Sequence, residues 1–347
     1  MTRAADELRG VVDGQGPEFP HRRAGHCGSG ALRDLLEFHG LDYGDGPLSE
    51  GAVFGLAGGL GCFYVENSAF TPPFYLVGRT ADLERDFAAN LGIGLEVRET
   101  DDASEGWAWV RAELDEGRPT MVWADIAELE YLRVRMSNTR HDIVVAGHDP
   151  DAGIAWIADN DREELQQCSM ESLAAARTSN GFPGPNRNTT FLYSWPERLV
   201  QPREAVHRGL ARAVANMGQD APSVGGLRGG LGLAAVDALA DGYPAWPETF
   251  DEADLEKALG GLWVFIVKAG TGGAMFRSLH ARFLRDAAAW LSDDRLTSLA
   301  EHYDELAATW VALADAAKRG DHAAGVALVG VVRSMEHRGV ELMEGML

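Results

Sequence analysis

Residues 141–159 read HDIVVAGHDPDAGIAWIAD. Two apolar runs, 141–147 and 153–159, flank His148-Asp149-Pro150-Asp151-Ala152, a composition that predicts two antiparallel strands joined by a tight turn. Both runs are apolar at odd and even positions, as in strands covered on two faces. With the turn centred on Pro150, opposed residues have numbers summing to 300, so His141 faces Asp159, Ile143 faces Ile157 and Val145 faces Ala155. Directly opposed side chains stand about 5 Å apart at Cβ, close enough for an imidazole to donate to a carboxylate. Such a bond fixes the histidine tautomer and leaves its other nitrogen to accept a proton. A slip of one residue would put the two on opposite faces, so the pairing is conditional on register.

Outward from the hairpin, a helix over about 105–116 stops at Gly117 and leads into a strand over 119–124, and residues 190–195 have strand composition. Near the N-terminus, Gly25-His26-Cys27-Gly28-Ser29-Gly30 opens an amphipathic helix, apolar at 31, 32, 35 and 36, with Gly40 as its stop. A thiol in the first turn of a helix meets a positive dipole end and unpaired N–H groups, which favour the thiolate. Cys27 is therefore the candidate nucleophile, with its own N–H available to an oxyanion and His141 and Asp159 as base and orienter. Gly28 and Ser29 leave room for a substrate. His26 is a poor base because neighbours at a helix start point apart, and it reads as a packing or substrate contact. His148 and Asp149 read as turn residues, and Cys62 and Cys168 as structural. The glycine-rich run 54–64 lacks the lysine and spacing of a phosphate loop and reads as close backbone packing.

After about residue 200 the pattern becomes helical, at about 203–217, 231–240, 251–262, 274–291, 296–318 and 323–346. The run 262–270 fits a strand or a buried helix end. The chain thus divides into an α+β catalytic domain, 1–200, and a helical domain, 201–347. Its 347 residues carry 53 acidic and 31 basic side chains, a net charge of -22 that repels phosphate backbones and anionic lipid. This disfavours nucleic acid and membrane surfaces as partners. Three cysteines, odd in number, widely spaced and without a CxxC, argue against disulfides and thiolate zinc, and no histidine pair has zinc spacing with an intervening Glu, so no metal is expected. No run is long and apolar enough to span a bilayer and the start lacks a signal-peptide stretch, which predicts a cytoplasmic protein.

The order Cys, His on a strand, Asp on the next strand resembles papain-like bacterial cysteine peptidases, including bacteriocin-leader peptidases. With its flanks, Phe19-Pro20-His21 to Arg33, Leu48-Ser49-Glu50, Phe54-Gly55-Leu56, 141–149 and Gly270-Thr271-Gly272-Gly273-Ala274-Met275-Phe276-Arg277, the chain resembles the butirosin biosynthesis protein H family. The resemblance implies a papain-like domain with an antiparallel sheet followed by a helical domain. It implies acyl transfer from the phosphopantetheine arm of an acyl carrier protein to a small-molecule amine, with no resident cofactor. Cys27 would take the acyl group, His141 would move protons and Asp159 would orient His141. Papain-like peptidases commonly carry a Gln about six residues before the Cys; here His21 stands there, and either it donates to the oxyanion or the second donor comes from elsewhere. Gly270 to Gly273 with Arg277 fits an anion site or, equally, a tight turn with Arg277 in a structural ion pair. Amide formation in water favours a covered site, so the helices are expected to roof it. Carrier proteins are usually acidic, and Arg22, Arg23 and Arg33 are candidates for a local basic patch. A hydrolase with the same triad and a non-catalytic binding protein on the same scaffold stay open.

Overall fold

The computed structural model describes residues 16–219, 221–268, 272 and 274–347. Along the chain, α1 (Cys27–Phe38) precedes α2 (Glu50–Leu56), β1 (Leu60–Glu66), β2 (Phe74–Arg79) and α3 (Leu83–Leu91). Next come β3 (Gly94–Arg98), α4 (Ala103–Asp115), β4 (Thr120–Ala124), β5 (His141–Asp149), β6 (Ile154–Ala158), β7 (Gln166–Ser169), α5 (Met170–Thr178) and β8 (Thr190–Ser194). The remainder comprises α6 (Pro202–Met217), β9 (Ala221–Val224), β10 (Leu227–Leu231), α7 (Leu233–Gly242), α8 (Glu252–Trp263), α9 (Arg277–Leu291), α10 (Asp294–Lys318) and α11 (His322–Glu344). The class is α+β, with antiparallel sheets and a largely helical C-terminal region.

Packing divides the chain into two units, residues 16–48 with 93–199, and residues 49–92 with 200–347. The sequence put a boundary at 200 and assigned everything before it to one domain. Residues 49–92 instead pack with the C-terminal half, because β1 pairs on one edge with β2 and on the other with β10.

The first unit is an antiparallel sheet in the order β3-β8-β4-β5-β6-β7. Val110 of α4 and Leu173 and Ala176 of α5 cover one face, over Val122, Ile143, Val145, Ala155 and Ile157. The α1 helix packs against β5, burying Leu32, Leu35 and Leu36. Both faces of β5 are thus covered, which is why its sequence shows no polar alternation.

The hairpin forms, with a different register. Val144 pairs with Ala158 and Val145 with Ile157, whereas Gly147 pairs with Trp156 and Asp149 with Ile154, so a bulge lies between Val145 and Gly147. The reason is the turn: β5 runs through His148 and Asp149, and the chain reverses at 150–153 with Gly153 at φ 67°. At the turn end the paired numbers sum to an odd value, which would set His141 and Asp159 on opposite faces. The extra residue of the bulge restores an even sum and returns them to the same face, as diagonal rather than direct neighbours.

The second unit holds a sheet in the order β2-β1-β10-β9 among its helices. The β9–β10 hairpin is an addition to the mostly helical reading of this half; it turns on Gly225 and Gly226, at φ 57° and 81°. Residues 264–268 form a π-helical turn continuing α8, and residues 269, 270, 271 and 273 of the glycine run lie outside the described ones. Gly55, in the earlier glycine-rich run, packs so closely on Phe283 that a Cβ would fall 1.9 Å from the ring, in keeping with close packing.

Candidate active site

Helix α1 starts where its sequence provides a cap. His26 is the N-cap residue in extended backbone, and its Nδ1 accepts from the Ser29 amide at 3.2 Å, with the Ser29 hydroxyl also at 3.2 Å. Cys27 follows as the first helical residue, where the backbone N–H groups have no intrahelical acceptor. The approach to Cys27 is tied down by two bonds: the Ala24 amide donates to the Asn160 carbonyl at 2.9 Å, and Asn160 Nδ2 donates to the Ala24 carbonyl at 3.1 Å. Gly30 permits this contact, since a Cβ there would lie 2.6 Å from Ala24 Cβ and 3.5 Å from Asn160 Cβ. The residue preceding Asn160 is Asp159, so the same link sets the nucleophile beside the hairpin end.

His141 opens β5 and Asp159 directly follows β6. His141 Nε2 donates to Asp159 Oδ2 at 2.9 Å, and the Tyr131 hydroxyl donates to the same oxygen at 2.9 Å. The Asp161 amide donates to Asp159 Oδ1 at 3.0 Å. His141 also hydrogen-bonds the Cys27 side chain. With Nε2 committed to Asp159, Nδ1 is the nitrogen left for the thiol. Burial disfavours the charged imidazole, but the Asp159 carboxylate and the bonds to Asp159 and Cys27 outweigh it and hold His141 well above the ordinary histidine range. Burial likewise works against the Asp159 carboxylate, and the His141 charge, the Asp161 amide and the Tyr131 hydroxyl overcome it, bringing its pKa down to about 2.

Cys27 is the partly exposed thiol of the three; Cys62 and Cys168 are buried, and burial pushes Cys62 up to about 12 and raises Cys168. These are conditions in which a thiol stays protonated and inert. A second carboxylate also reaches Cys27: the thiol donates to Asp142 Oδ2 at 3.6 Å, and Asp142 is 3% exposed.

The other sequence candidates fall in different places. Gly28 is buried in the first turn of α1, and Ser29 and His26 are buried in the cap, so their polar atoms serve the helix start. His21 turns Nδ1 to Asp34 Oδ2 at 2.7 Å, while Arg33 Nε donates to Asp34 Oδ1 at 2.9 Å; His21 Nε2 is buried with no hydrogen-bond partner among the described residues. Arg277 lies in the second unit and is fully buried. Its Nε donates to Glu336 Oε1 at 2.8 Å and its Nη1 to the carbonyls of Gly61, Gly78 and Met275. Of the two readings held for Arg277, this is the structural ion pair. The expected basic patch is largely used up: Arg33 is buried on Asp34 and the carbonyls of Arg22 and Arg23, Arg22 pairs with Glu37, and exposed Arg23 stands 3.7 Å from Asp161. His148 packs edge-on to Trp107, and Asp149 accepts from the turn amides of Asp151 and Ala152. A cleft of about 480 Å³ lined by His39, Arg118, Tyr193 and Trp195 opens by the C-cap of α1, at the opposite end of that helix from Cys27.

Sequence reasoning passed over Tyr131, Asn160 and Asp142. Tyr131 lies in the 125–140 connection, where no periodicity flags a side chain. Asp142 carried a signal: it is a carboxylate inside a run otherwise covered on both faces, and such a charge is costly unless it has work at a site. The three act here through Asp159, Ala24 and Cys27 respectively.

Residues 26–160 match the family described as Butirosin biosynthesis protein H, N-terminal, and residues 171–339 match a domain family of unknown function, DUF4872. The first span contains Cys27, His141 and Asp159. A comparison with curated proteins finds no match.

Proposed function

From a chain that belongs, through residues 26–160, to the butirosin biosynthesis protein H N-terminal family, we propose a cysteine-dependent acyltransferase of bacterial specialised metabolism. It moves an acyl or aminoacyl group from an acyl carrier protein or pantetheine thioester to a small-molecule amine. The observation that carries this reading is the half-buried thiol of Cys27 on the first turn of α1, hydrogen-bonded to a histidine whose far nitrogen is held by Asp159.

The chemistry follows from those contacts. Cys27 passes its proton to His141, and the thiolate attacks the thioester carbonyl; the Cys27 amide, at the helix start, donates to the oxyanion. The carbonyl reforms as the C–S bond to pantetheine breaks, and the departing sulfur takes the proton from His141. The acceptor amine then attacks the Cys27 thioester, and sulfur leaves as the C–N bond is made. Asp159 and Tyr131 keep the imidazole aimed through both halves.

Intact-protein mass spectrometry tests this with wild type, Cys27→Ala and His141→Ala, each mixed with acyl-pantetheine thioesters with and without amines. A wild-type adduct absent from Cys27→Ala, discharged faster by amine than by water, is expected. Faster discharge by water would make the protein a hydrolase. No adduct, together with no selective labelling of Cys27 by iodoacetamide, would overturn nucleophilic catalysis altogether.

A further inference from the structure

We propose that Asp142 is the residue that selects a cationic acceptor, receiving the incoming amine as its ammonium ion beside the acylated Cys27. The inference rests on the transfer reading and deepens it.

Asp142 is the second residue of β5, paired with Trp123 of β4 and followed by Ile143, Val144, Val145 and Ala146, all buried. Strand alternation turns His141 and Asp142 to opposite sides of β5, and Cys27 is met by both at the start of that strand, by the His141 ring, which is held by Asp159, and by Asp142 Oδ2 at 3.6 Å from Sγ. It is therefore not a second orienter of the histidine, whose Nε2 is already taken by Asp159. Nor does it suit the first half of the reaction. A carboxylate next to a forming thiolate is a like charge at close range, in a setting that screens little. A site shaped for thiolate formation alone would not place one there.

The second half of the reaction differs. Once Cys27 carries the acyl group its sulfur has no hydrogen, and Asp142 has one donor fewer than at rest. A primary amine at neutral pH is an ammonium ion, so it must be brought in as a cation and must lose a proton before it can attack. A carboxylate beside the acyl carbon does both, and it favours an ammonium over neutral water. The step balances: the ammonium gives one proton to Asp142, the amine lone pair forms the C–N bond, and the C–S pair returns to Cys27 sulfur. The second nitrogen proton passes through His141 to that sulfur. The products are an amide, a Cys27 thiol and a protonated Asp142, which sheds its proton to solvent.

The experiment uses the full chain as wild type, Asp142→Asn and Asp142→Glu. First, Cys27 is modified with methanethiosulfonates bearing a trimethylammonium, a neutral or a sulfonate group, the rates being read by mass spectrometry with peptide mapping. Wild type and Asp142→Glu should favour the cation over the anion, and Asp142→Asn should lose about tenfold of that preference. An unchanged ratio overturns the assignment whatever the donor. Second, acyl-enzyme made with an acyl-pantetheine is discharged with ethanolamine, a cation, or hydroxylamine, largely neutral at pH 7. Asp142→Asn should acylate faster than wild type, because the like charge beside the forming thiolate is gone, and should respond to hydroxylamine, with discharge by ethanolamine slowed at least tenfold through a raised KM. Equal ethanolamine discharge in both proteins overturns the acceptor role. Failure of wild type to acylate overturns the transfer reading and the acceptor role with it, while the labelling ratio still decides whether Asp142 selects cations.

Discussion

The imidazole of His141 and the carboxylate of Asp159 each pull the other toward its charged form, and the two shifts together set a pH window for stability. An unfolded histidine titrates near 6.5 and an unfolded aspartate near 3.9. The raised His141 value contributes stability that is whole below about pH 6.5 and is lost as pH climbs through the folded value. The lowered Asp159 value contributes stability that is whole above about pH 4 and is lost as pH falls toward its folded value of about 2. Asp159→Asn, which removes the charge and keeps the shape, should cost about 3 kcal/mol between about pH 4 and 6.5, the deficit shrinking on both sides. Urea denaturation of both proteins across that range and beyond measures it. A deficit independent of pH would mean that the pair contributes hydrogen bonding without charge. At this scale the sequence was informative because the chemistry is local: a thiol at a helix start and an imidazole and a carboxylate at the open end of a hairpin are visible as residue types. Tyr131 was not, since its link to Asp159 spans 28 residues and depends on the path of an aperiodic loop.

Two elements bring these residues together, and they were legible to different degrees. Helix α1 was, because its start, apolar spacing and glycine stop all lie within fourteen residues, 27–40. The hairpin was legible in its existence and not in its register. The bulge at 145–147 depends on how Pro150 to Gly153 turn, and nothing in two uniformly apolar strands marks one register over another. The β9–β10 hairpin had a signal, Gly225-Gly226 between Val224 and Leu227, but its pairing with β1 joins residues more than 160 positions apart. Such edge-to-edge pairing leaves no local pattern. For α1 the consequence is testable, because His26 is an unusual cap whose ring accepts from the Ser29 amide. His26→Ala should lower stability by about 1 kcal/mol, read by thermal or urea unfolding, and should slow alkylation of Cys27 by loosening the turn that bears it. His26→Asn, which offers a cap oxygen, should recover most of both. Equal alkylation in all three proteins would mean that Ala24 and Asn160 hold the turn without the cap.

Across the whole molecule the decisive quantity is charge. Among the described residues, the three arginines read as a basic patch near Cys27 do little to offset the net -22, since Arg33 is buried on Asp34, Arg22 faces Glu37 and Arg23 faces Asp161. An acidic carrier protein approaching this surface is repelled at long range, whereas a free acyl-pantetheine carries little charge and is not. Salt separates the two donors. The screening length contracts from about 30 Å at 0.01 M to about 8 Å at 0.15 M, so raising salt over that interval removes most of the repulsion and little of any contact made at close range. Acylation of Cys27 by a carrier-protein thioester should therefore accelerate as salt rises, contrary to the usual behaviour of complementary charged pairs, while acylation by the pantetheine thioester should stay flat. Single-turnover mass spectrometry with both donors at several salt concentrations provides the comparison. Carrier-dependent acylation that slows with salt would mean that opposite charges meet at the docking surface, and it would direct the search for that surface to arginines away from α1. A flat response with the carrier would mean that chemistry, not encounter, limits the first half-reaction, and the same measurement at lower protein concentration would bring the encounter back into view.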